Sequence, residues 1–197
     1  NLVAGDYTVT ITSATTKAEL DTENNVTGAS IAALTGDVAV AMGVYTLELK
    51  ANGDYFDLIL TNADGEVVDT VYNKEIAEDT DDTVDIGGIT FTWAAGDAAA
   101  AGSVEVTVSA DFTVSVADAE GKEIGATTVA DNSNGFVNVG GFKVSFDSNL
   151  TGGTTGVTVK TDAVSFQIGA NEGQMTKLAI SDMSSEALKV DAIDLTT

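Results

Sequence analysis

The chain has 197 residues, a formal net charge of −23, and no histidine, cysteine or proline. Without cysteine it can form neither disulfides nor a thiol nucleophile, and without histidine it lacks the usual general base and zinc ligand. The negative charge disfavours nucleic acid and anionic membranes, because both are bound through basic patches. No apolar run reaches the roughly 18 residues that a membrane-spanning helix needs. We therefore expect no nucleic-acid partner and no membrane partner.

Alternation of apolar and polar residues predicts a β-strand near the start of the chain. Residues 5–12 place a tyrosine, a valine and an isoleucine on one face and threonines on the other, which is typical of a half-buried strand. Residues 17–20 predict one helical turn. The polar residues 21–30 predict a loop.

A more regular series of strands extends from residue 43 to residue 93. Its alternating segments are separated by turn-forming residues, which include Asn52-Gly53-Asp54. Residues 73–82 predict an acidic loop that can include a helical turn. Gly87-Gly88 predicts a sharp turn or a bulge within the last strand pair.

This series is repeated later in the chain. Residues 137–146 match residues 84–93 position by position in pattern, with a Gly-Gly pair at the same place. Three further matches support the repeat: residues 102–108 with 43–49, residues 111–116 with 55–60, and residues 119–121 with 63–65. The opening strand is a candidate truncated third copy, and the alanine- and glycine-rich residues 94–101 are a candidate linker.

The repeat predicts a mainly β fold. Tandem β-meander copies at about residues 43–93 and 102–146 are expected to form small sheets or sandwich-like units. Each copy has one apolar face that a single sheet cannot bury alone. Either the two copies pack together, or each copy folds over its own hairpins.

The C-terminal stretch predicts a β-hairpin followed by a short helix. Residues 164–168 and 176–180 alternate apolar and polar, and two glycines and an asparagine lie in the segment between them. Asp182 is placed to cap a helix whose first turn carries Ser184, Ser185 and Glu186.

This C-terminal stretch resembles bacterial flagellin in three ordered and closely spaced pieces. The pieces are Phe166-Gln167-Ile168-Gly169-Ala170-Asn171-Glu172-Gly173-Gln174, then Ser181-Asp182-Met183 with Ala187-Leu188, and finally Asp191-Ala192-Ile193-Asp194-Leu195-Thr196-Thr197. In that family such a segment forms a hairpin and turn in the conserved domain beneath a variable outer domain. The resemblance therefore implies that residues 1–155 are a variable outer β region and residues 156–197 a core-like hairpin with a helical turn.

The resemblance implies a structural role in the extracellular filament used for swimming, with no enzymatic activity and no cofactor. Its implied partners are other flagellin subunits. A host innate immune receptor also recognises the family, largely through long helices that are missing from this sequence. Those helices build the filament core, so we expect a monomeric fragment that forms no filaments alone. Asn1 is not an initiator methionine, which fits a fragment or a processed product.

An inserted outer domain has neighbouring ends. We therefore predict that the strand near Gly5 lies close to residues 157–164. The alternative function is a secreted β-repeat module of an adhesin or surface-layer protein that binds carbohydrate or calcium. Long amphipathic helices on both sides of the chain would favour flagellin, whereas further β repeats with a cell-wall anchor would favour the alternative.

The densest group of acidic residues offers the clearest candidate for a metal site. It consists of Glu75, Glu78, Asp79, Asp81, Asp82 and Asp85. Closely spaced carboxylates can bind calcium, but this segment lacks the glycine and the distal glutamate of an EF-hand loop. A solvated acidic loop is therefore favoured, and we assign no metal ligands.

No residue is assigned a catalytic or cofactor-binding role. Carboxylates near Gly65 and Gly121 could pair for glycoside hydrolysis, but both groups fall at predicted hairpin turns, where polar residues are expected. The glycine-rich residues 152–156 lack the lysine of a phosphate-binding loop. Trp93 and Phe146 occupy equivalent positions in the two copies, and core packing is favoured over stacking against carbohydrate. Two N-glycosylation sequons occur, at Asn25 and Asn149, and the resemblance to flagellin implies that they are accidental.

Overall fold

The computed structural model describes residues 2–23, 25–160, 163–167 and 175–179, and these residues form a mainly β fold, as predicted. The strands of the described residues are β1 (Gly5–Leu20), β2 (Ile31–Leu34), β3 (Gly43–Asn52), β4 (Tyr55–Asn62), β5 (Val67–Lys74), β6 (Asp82–Ile86), β7 (Ile89–Trp93), β8 (Gly102–Asp118), β9 (Glu123–Asn132), β10 (Phe136–Val139), β11 (Phe142–Ser145), β12 (Gly153–Val159), β13 (Ala163–Gln167) and β14 (Met175–Ala179).

Neither helical turn predicted in the first half of the chain is present. Residues 17–20 continue β1, because they pair with residues 106–109 of β8 and bury Ala18 in the core. Tertiary pairing thus overrides a weak local pattern. Residues 75–81 form a loop without a helical turn. The helix predicted after Asp182 lies outside the described residues, and among those described no helix is long and apolar enough to cross a membrane.

A seven-stranded sheet lies at the centre of the fold. Its order is β12-β1-β8-β3-β4-β5, and β9 also pairs with β8. The strands β2, β7 and β6 form a smaller sheet, and the described residues contain two further hairpins, β10-β11 and β13-β14. The pairing of β13 with β14, which sets Val164 opposite Leu178, confirms the predicted C-terminal hairpin.

The two longest strands, β1 and β8, pair in antiparallel fashion along almost their whole length. The pairing runs from Tyr7 opposite Asp118 to Leu20 opposite Val106, with one register shift between Thr12 and Thr15. The other edge of β8 has two partners in succession. Residues 102–108 pair with β3, and residues 110–117 pair with β9.

The central sheet is thereby divided into two similar modules. We call module A the set formed by β2–β7 with residues 102–108 of β8, and module B the set formed by residues 7–12 of β1, residues 110–118 of β8, and β9–β11. The first two strands of the modules have equivalent registers: Tyr45 opposite Asn62 and Leu49 opposite Leu58 in module A, and Tyr7 opposite Asp118 and Ile11 opposite Val114 in module B.

This register changes the strand equivalence expected from the sequence. Residues 102–108 resemble residues 43–49 in pattern, but residues 7–12 occupy the position in module B that β3 occupies in module A. The opening strand is therefore the first strand of module B and not part of a third copy. Its sequence Gly5-Asp6-Tyr7-Thr8-Val9 is correspondingly close to Gly43-Val44-Tyr45-Thr46-Leu47.

Module A stands where module B would otherwise have a hairpin turn. In module A the two-residue loop Gly53-Asp54 joins β3 to β4. Gly53 has a φ of +67°, and Asp54 does not have a positive φ, so the turn is of type II′. In module B the equivalent strands, residues 7–12 and 110–118, are joined through the whole of module A. One module is thus inserted into the other.

The later strands of the two modules also correspond. Gly87-Gly88 and Gly140-Gly141 both have positive φ angles and form two-residue type I′ turns, one between β6 and β7 and the other between β10 and β11. The turn between β4 and β5 in module A corresponds to the turn between β8 and β9 in module B. In the first turn the backbone amide of Gly65 donates to the Asn62 carbonyl, and in the second the backbone amide of Gly121 donates to the Asp118 carbonyl.

Each module folds its sheet over its own hairpin. In module A, Phe91 and Trp93 of the hairpin pack into a fully buried cluster with Leu47, Leu58 and Val106 of the sheet. Each such side chain contributes about 1.5–3 kcal/mol by burial. This answers the question that the sequence left open about how the apolar faces are covered.

Module B has a smaller core that is organised by aromatic contacts. The rings of Tyr7 and Phe142 meet edge to face at 5.3 Å, and those of Phe112 and Phe146 at 4.8 Å. The hairpin approaches the sheet so closely that a Cβ on Gly125 would lie 2.7 Å from the Gly140 nitrogen.

The described residues separate into two compact units, of which residues 7–156 form one. Within this unit the hydroxyls of Thr10 and Thr154 lie 3.3 Å apart, on the neighbouring strands β1 and β12. The second unit combines the residues before Tyr7 with those after Gly156, and in it Thr158 Oγ1 donates to Asp6 Oδ1 over 2.7 Å. The predicted proximity of the two segments is confirmed.

Residues 15–108 should fold when they are expressed alone. This segment contains the complete core cluster of module A, and its ends are paired with each other through Ala18 and Val108. Circular dichroism should show one cooperative thermal transition, and Leu47→Ala in the same fragment should cost about 2–5 kcal/mol, because Leu47 is fully buried. A fragment without a cooperative transition would show that module A depends on module B.

Candidate functional site

Three of the acidic residues between 75 and 85, namely Asp81, Asp82 and Asp85, accept hydrogen bonds within loops and a hairpin. Asp81 Oδ1 accepts a hydrogen bond from the amide of Ala95 over 2.8 Å, and Asp85 accepts one from the hydroxyl of Thr90 on the opposite strand. Five of the six residues are exposed, and Asp82 is half-buried. No group of three or more acidic side chains in the described part of the chain is arranged to hold a metal ion.

Asp82 is the most constrained carboxylate of this segment. Lys74 Nζ lies 2.8 Å from its Oδ1, to which it donates a hydrogen bond within an ion pair. The backbone amide of Ala77 donates a hydrogen bond to its Oδ2 over 3.3 Å. Partial burial opposes ionisation, but the bonds from Lys74 and the backbone outweigh it and hold the pKa of Asp82 below its ordinary value. Asp82 therefore fixes the loop between β5 and β6 to the end of β5.

The carboxylates near Gly65 and Gly121 lie at hairpin turns, as the sequence predicts. Asn62 Oδ1 accepts from the amides of Asp64 and Glu66, and Asp118 Oδ1 accepts from the amide of Lys122. These bonds order the two turns in the same way. Among the candidate carboxylates, Glu66 also contributes to its turn, because its Oε2 accepts from Asn62 Nδ2 over 3.2 Å.

Trp93 is inaccessible to a carbohydrate ligand. Its side chain is fully buried, and its indole nitrogen donates to the Thr27 carbonyl over 2.9 Å. The equivalent Phe146 is half-buried against Phe112. The expected core role is therefore observed for Trp93.

The first sequon has a structural role in the loop that Trp93 contacts. Asn25 Oδ1 accepts hydrogen bonds from the amide and the hydroxyl of Thr27, and Asn25 Nδ2 donates to the Ala29 carbonyl. Thr27 is fully buried. In the second sequon the side chain of Asn149 is exposed, and the backbone amide of Asn149 donates a hydrogen bond to Asp147 Oδ1.

Sequence reasoning missed a cluster of charges at the junction of the modules. Lys17 Nζ lies 2.5 Å from Asp131 Oδ1, 3.3 Å from Glu19 Oε2 and 3.9 Å from Asp111 Oδ2, so it connects β1, β8 and β9. The hydrogen bond to Asp131, partly opposed by desolvation, raises the pKa of Lys17 above its ordinary value. The helical turn predicted at residues 17–20 concealed this cluster, because its members are brought together only by strand pairing.

Module A also contains a shallow groove of about 530 Å³ that the sequence did not indicate. Its lining includes the exposed Val38 and Val68, the buried Tyr45, and the polar side chains of Asn62 and Asp69. Both polar side chains already serve the fold, since Asn62 orders a turn and Asp69 accepts from the amides of Thr70 and Gly87. The polar side chains of Asn62 and Asp69 are therefore engaged within the fold rather than free in the groove.

Comparison with known proteins identified no matching family model, no matching curated protein and no matching solved structure.

Replacing Asp82 with asparagine should destabilise the protein by about 1 kcal/mol at neutral pH, because the charged hydrogen bond from Lys74 is lost. A carboxylate with a lowered pKa contributes stability above its unfolded pKa and loses that contribution as the pH falls through its folded pKa. Urea unfolding at several pH values should therefore show a deficit that begins to shrink near the ordinary pKa of 3.8 and is lost as the pH falls through the lower folded pKa.

The matched control for this measurement is Asp79→Asn, which changes an exposed carboxylate in the same loop. It should leave stability nearly unchanged across the same pH range. A deficit for Asp82→Asn that persisted unchanged in acid would contradict the assigned role of the ionised carboxylate.

Proposed function

We propose that this chain is the outer, variable portion of a bacterial flagellin, joined to the hairpin that leads into the filament body. The observation that carries the proposal is the adjacency of β1 and β12, through which residues 7–156 begin and end side by side. A domain with adjacent ends can be inserted into another structure without disturbing it. This arrangement supports the reading of the C-terminal motif pieces as the point where an outer domain rejoins a conserved one.

The composition supports the same proposal. A chain with no proline and no cysteine has neither slow prolyl isomerisation nor disulfide formation among its folding steps, which suits a subunit that folds after export. The excess of 31 acidic over 8 basic residues suits an outer surface that faces solvent and repels its neighbours. In this role the chain acts by position and shape, and its partners are the other subunits of the filament.

Immunogold electron microscopy of the bacterium that encodes the chain tests the proposal directly. Antibody fragments raised against purified residues 7–156 should label the flagellar filaments along their length, because each subunit would display this region outward. The control is the same antibody preparation after adsorption with the purified protein. Labelling of the cell wall or of a surface layer, with unlabelled filaments, would overturn the proposal in favour of an adhesin or surface-layer module.

A further inference from the structure

Two asparagine–glycine pairs occur in the sequence, Asn52-Gly53 and Asn134-Gly135, and the structure constrains them differently. Asn52 ends β3 and Gly53 begins the turn after it, whereas Asn134 and Gly135 both lie in the loop between β9 and β10. Both glycines have positive φ angles, +67° for Gly53 and +72° for Gly135. The pairs therefore share a local sequence and differ in what holds the asparagine side chain. That difference bears on a covalent change to which this dipeptide is prone.

The reaction is deamidation through a succinimide. The backbone nitrogen of the glycine loses its proton and attacks the asparagine Cγ. A new N–Cγ bond closes the ring, and the Cγ–Nδ2 bond breaks with release of the nitrogen as ammonia. Water then opens the ring at either carbonyl and gives aspartate or isoaspartate. Glycine favours the step because it has no Cβ to obstruct the approach, and the reaction needs no oxidant or reductant.

The side chain of Asn52 is held away from this reaction. Its Nδ2 donates to Asn73 Oδ1 over 3.0 Å and lies 3.5 Å from both carboxylate oxygens of Asp57. Asn52 is also the last residue of β3 and pairs with Tyr55 across the two-residue turn. Ring closure would break these hydrogen bonds and distort the strand pair that the turn closes.

Asn134 lacks such constraints. It is exposed in the three-residue loop between β9 and β10, and its side-chain amide has no hydrogen-bond partner among the described residues. Its own backbone amide donates to Asn132 Oδ1 over 2.9 Å, and Asn132 Nδ2 donates to the Phe136 carbonyl over 3.2 Å. The neighbouring Asn132 side chain is therefore engaged at both ends, whereas the Asn134 side chain can rotate towards Gly135.

We infer that Asn134 is a site of spontaneous deamidation and that Asn52 is protected from the same reaction by its hydrogen bonds to Asn73 and Asp57. The product at position 134 adds one negative charge to module B. Isoaspartate also lengthens the backbone by one carbon next to Gly135, whose carbonyl accepts the amide of Phe146 over 2.9 Å. Deamidation should therefore loosen the attachment of the β10-β11 hairpin.

Peptide mapping of the aged protein tests the inference. The full chain is incubated at physiological temperature and mildly alkaline pH, sampled over time and digested with trypsin. Cleavage after lysine places the two sites on separate peptides, residues 51–74 and 123–143. Mass spectrometry and enzymatic methylation of isoaspartate should show conversion at Asn134 at least several-fold faster than at Asn52. Fragment ions should assign the change to Asn134 and not to Asn132.

Further measurements test whether the folded structure or the local sequence sets the two deamidation rates. In urea the two rates should converge, because both side chains are then free. In the folded protein, Asn73→Gly should accelerate conversion at Asn52, since it removes the acceptor Oδ1 yet tolerates the φ of +52° at that position. Asn134→Ser should abolish isoaspartate in its peptide. Equal rates at the two sites in the folded chain, or faster conversion at Asn52, would overturn the inference.

Discussion

The antiparallel pairing of β1 with β8 is the contact on which both modules depend. Residues 7–12 of β1 and residues 110–118 of β8 are the first two strands of module B. Residues 102–108 of β8 pair with β3 and complete the sheet of module A. The register shift between Thr12 and Thr15 marks the boundary, and Ser13 has a φ of +54° there. Lys17 and its acidic partners lie just beyond this point, where β1, β8 and β9 converge. A change in the β1–β8 register would therefore disturb both cores.

Several carboxylate and amide side chains of this protein accept hydrogen bonds from its own backbone. Asp81, Asp82 and Asp118 accept bonds from loop amides, and Asn25 orders the loop beneath Trp93. Carboxylates used in this way stabilise turns, which otherwise leave amides unpaired. These carboxylates therefore contribute to the stability of the loops that connect the strands.

Much of the fold could be predicted from the sequence. Alternation of apolar and polar residues indicates individual strands, and the glycine pairs at 87–88 and 140–141 indicate equivalent hairpins, because both signals are local. The predicted use of Trp93 in the core also follows from its place at the end of an alternating strand. These features depend on a few neighbouring residues, so a single sequence contains the information that they require.

The nested arrangement of the modules could not be predicted in the same way. Residues 102–108 and residues 5–11 both resemble residues 43–49, and only long-range pairing decides which of them serves as the first strand of module B. The same limit applies to residues 17–20, whose local pattern resembles a helical turn until β8 pairs with them. The charge cluster around Lys17 and the groove beside Val38 depend equally on contacts between distant segments.

Disulfide trapping tests the nested arrangement most directly, because the chain contains no cysteine of its own. Thr10 lies opposite Ser115, and Cα atoms in such antiparallel pairs are about 4.5–5.5 Å apart, within the range of a disulfide. Cysteines at these two positions should form an intramolecular disulfide on mild oxidation. Cysteines at Thr107 and Ser115 should not, since both lie on β8 and are about 26 Å apart along it. Efficient trapping of the second pair and not the first would contradict the account, because it would make residues 102–108 the first strand of the second module.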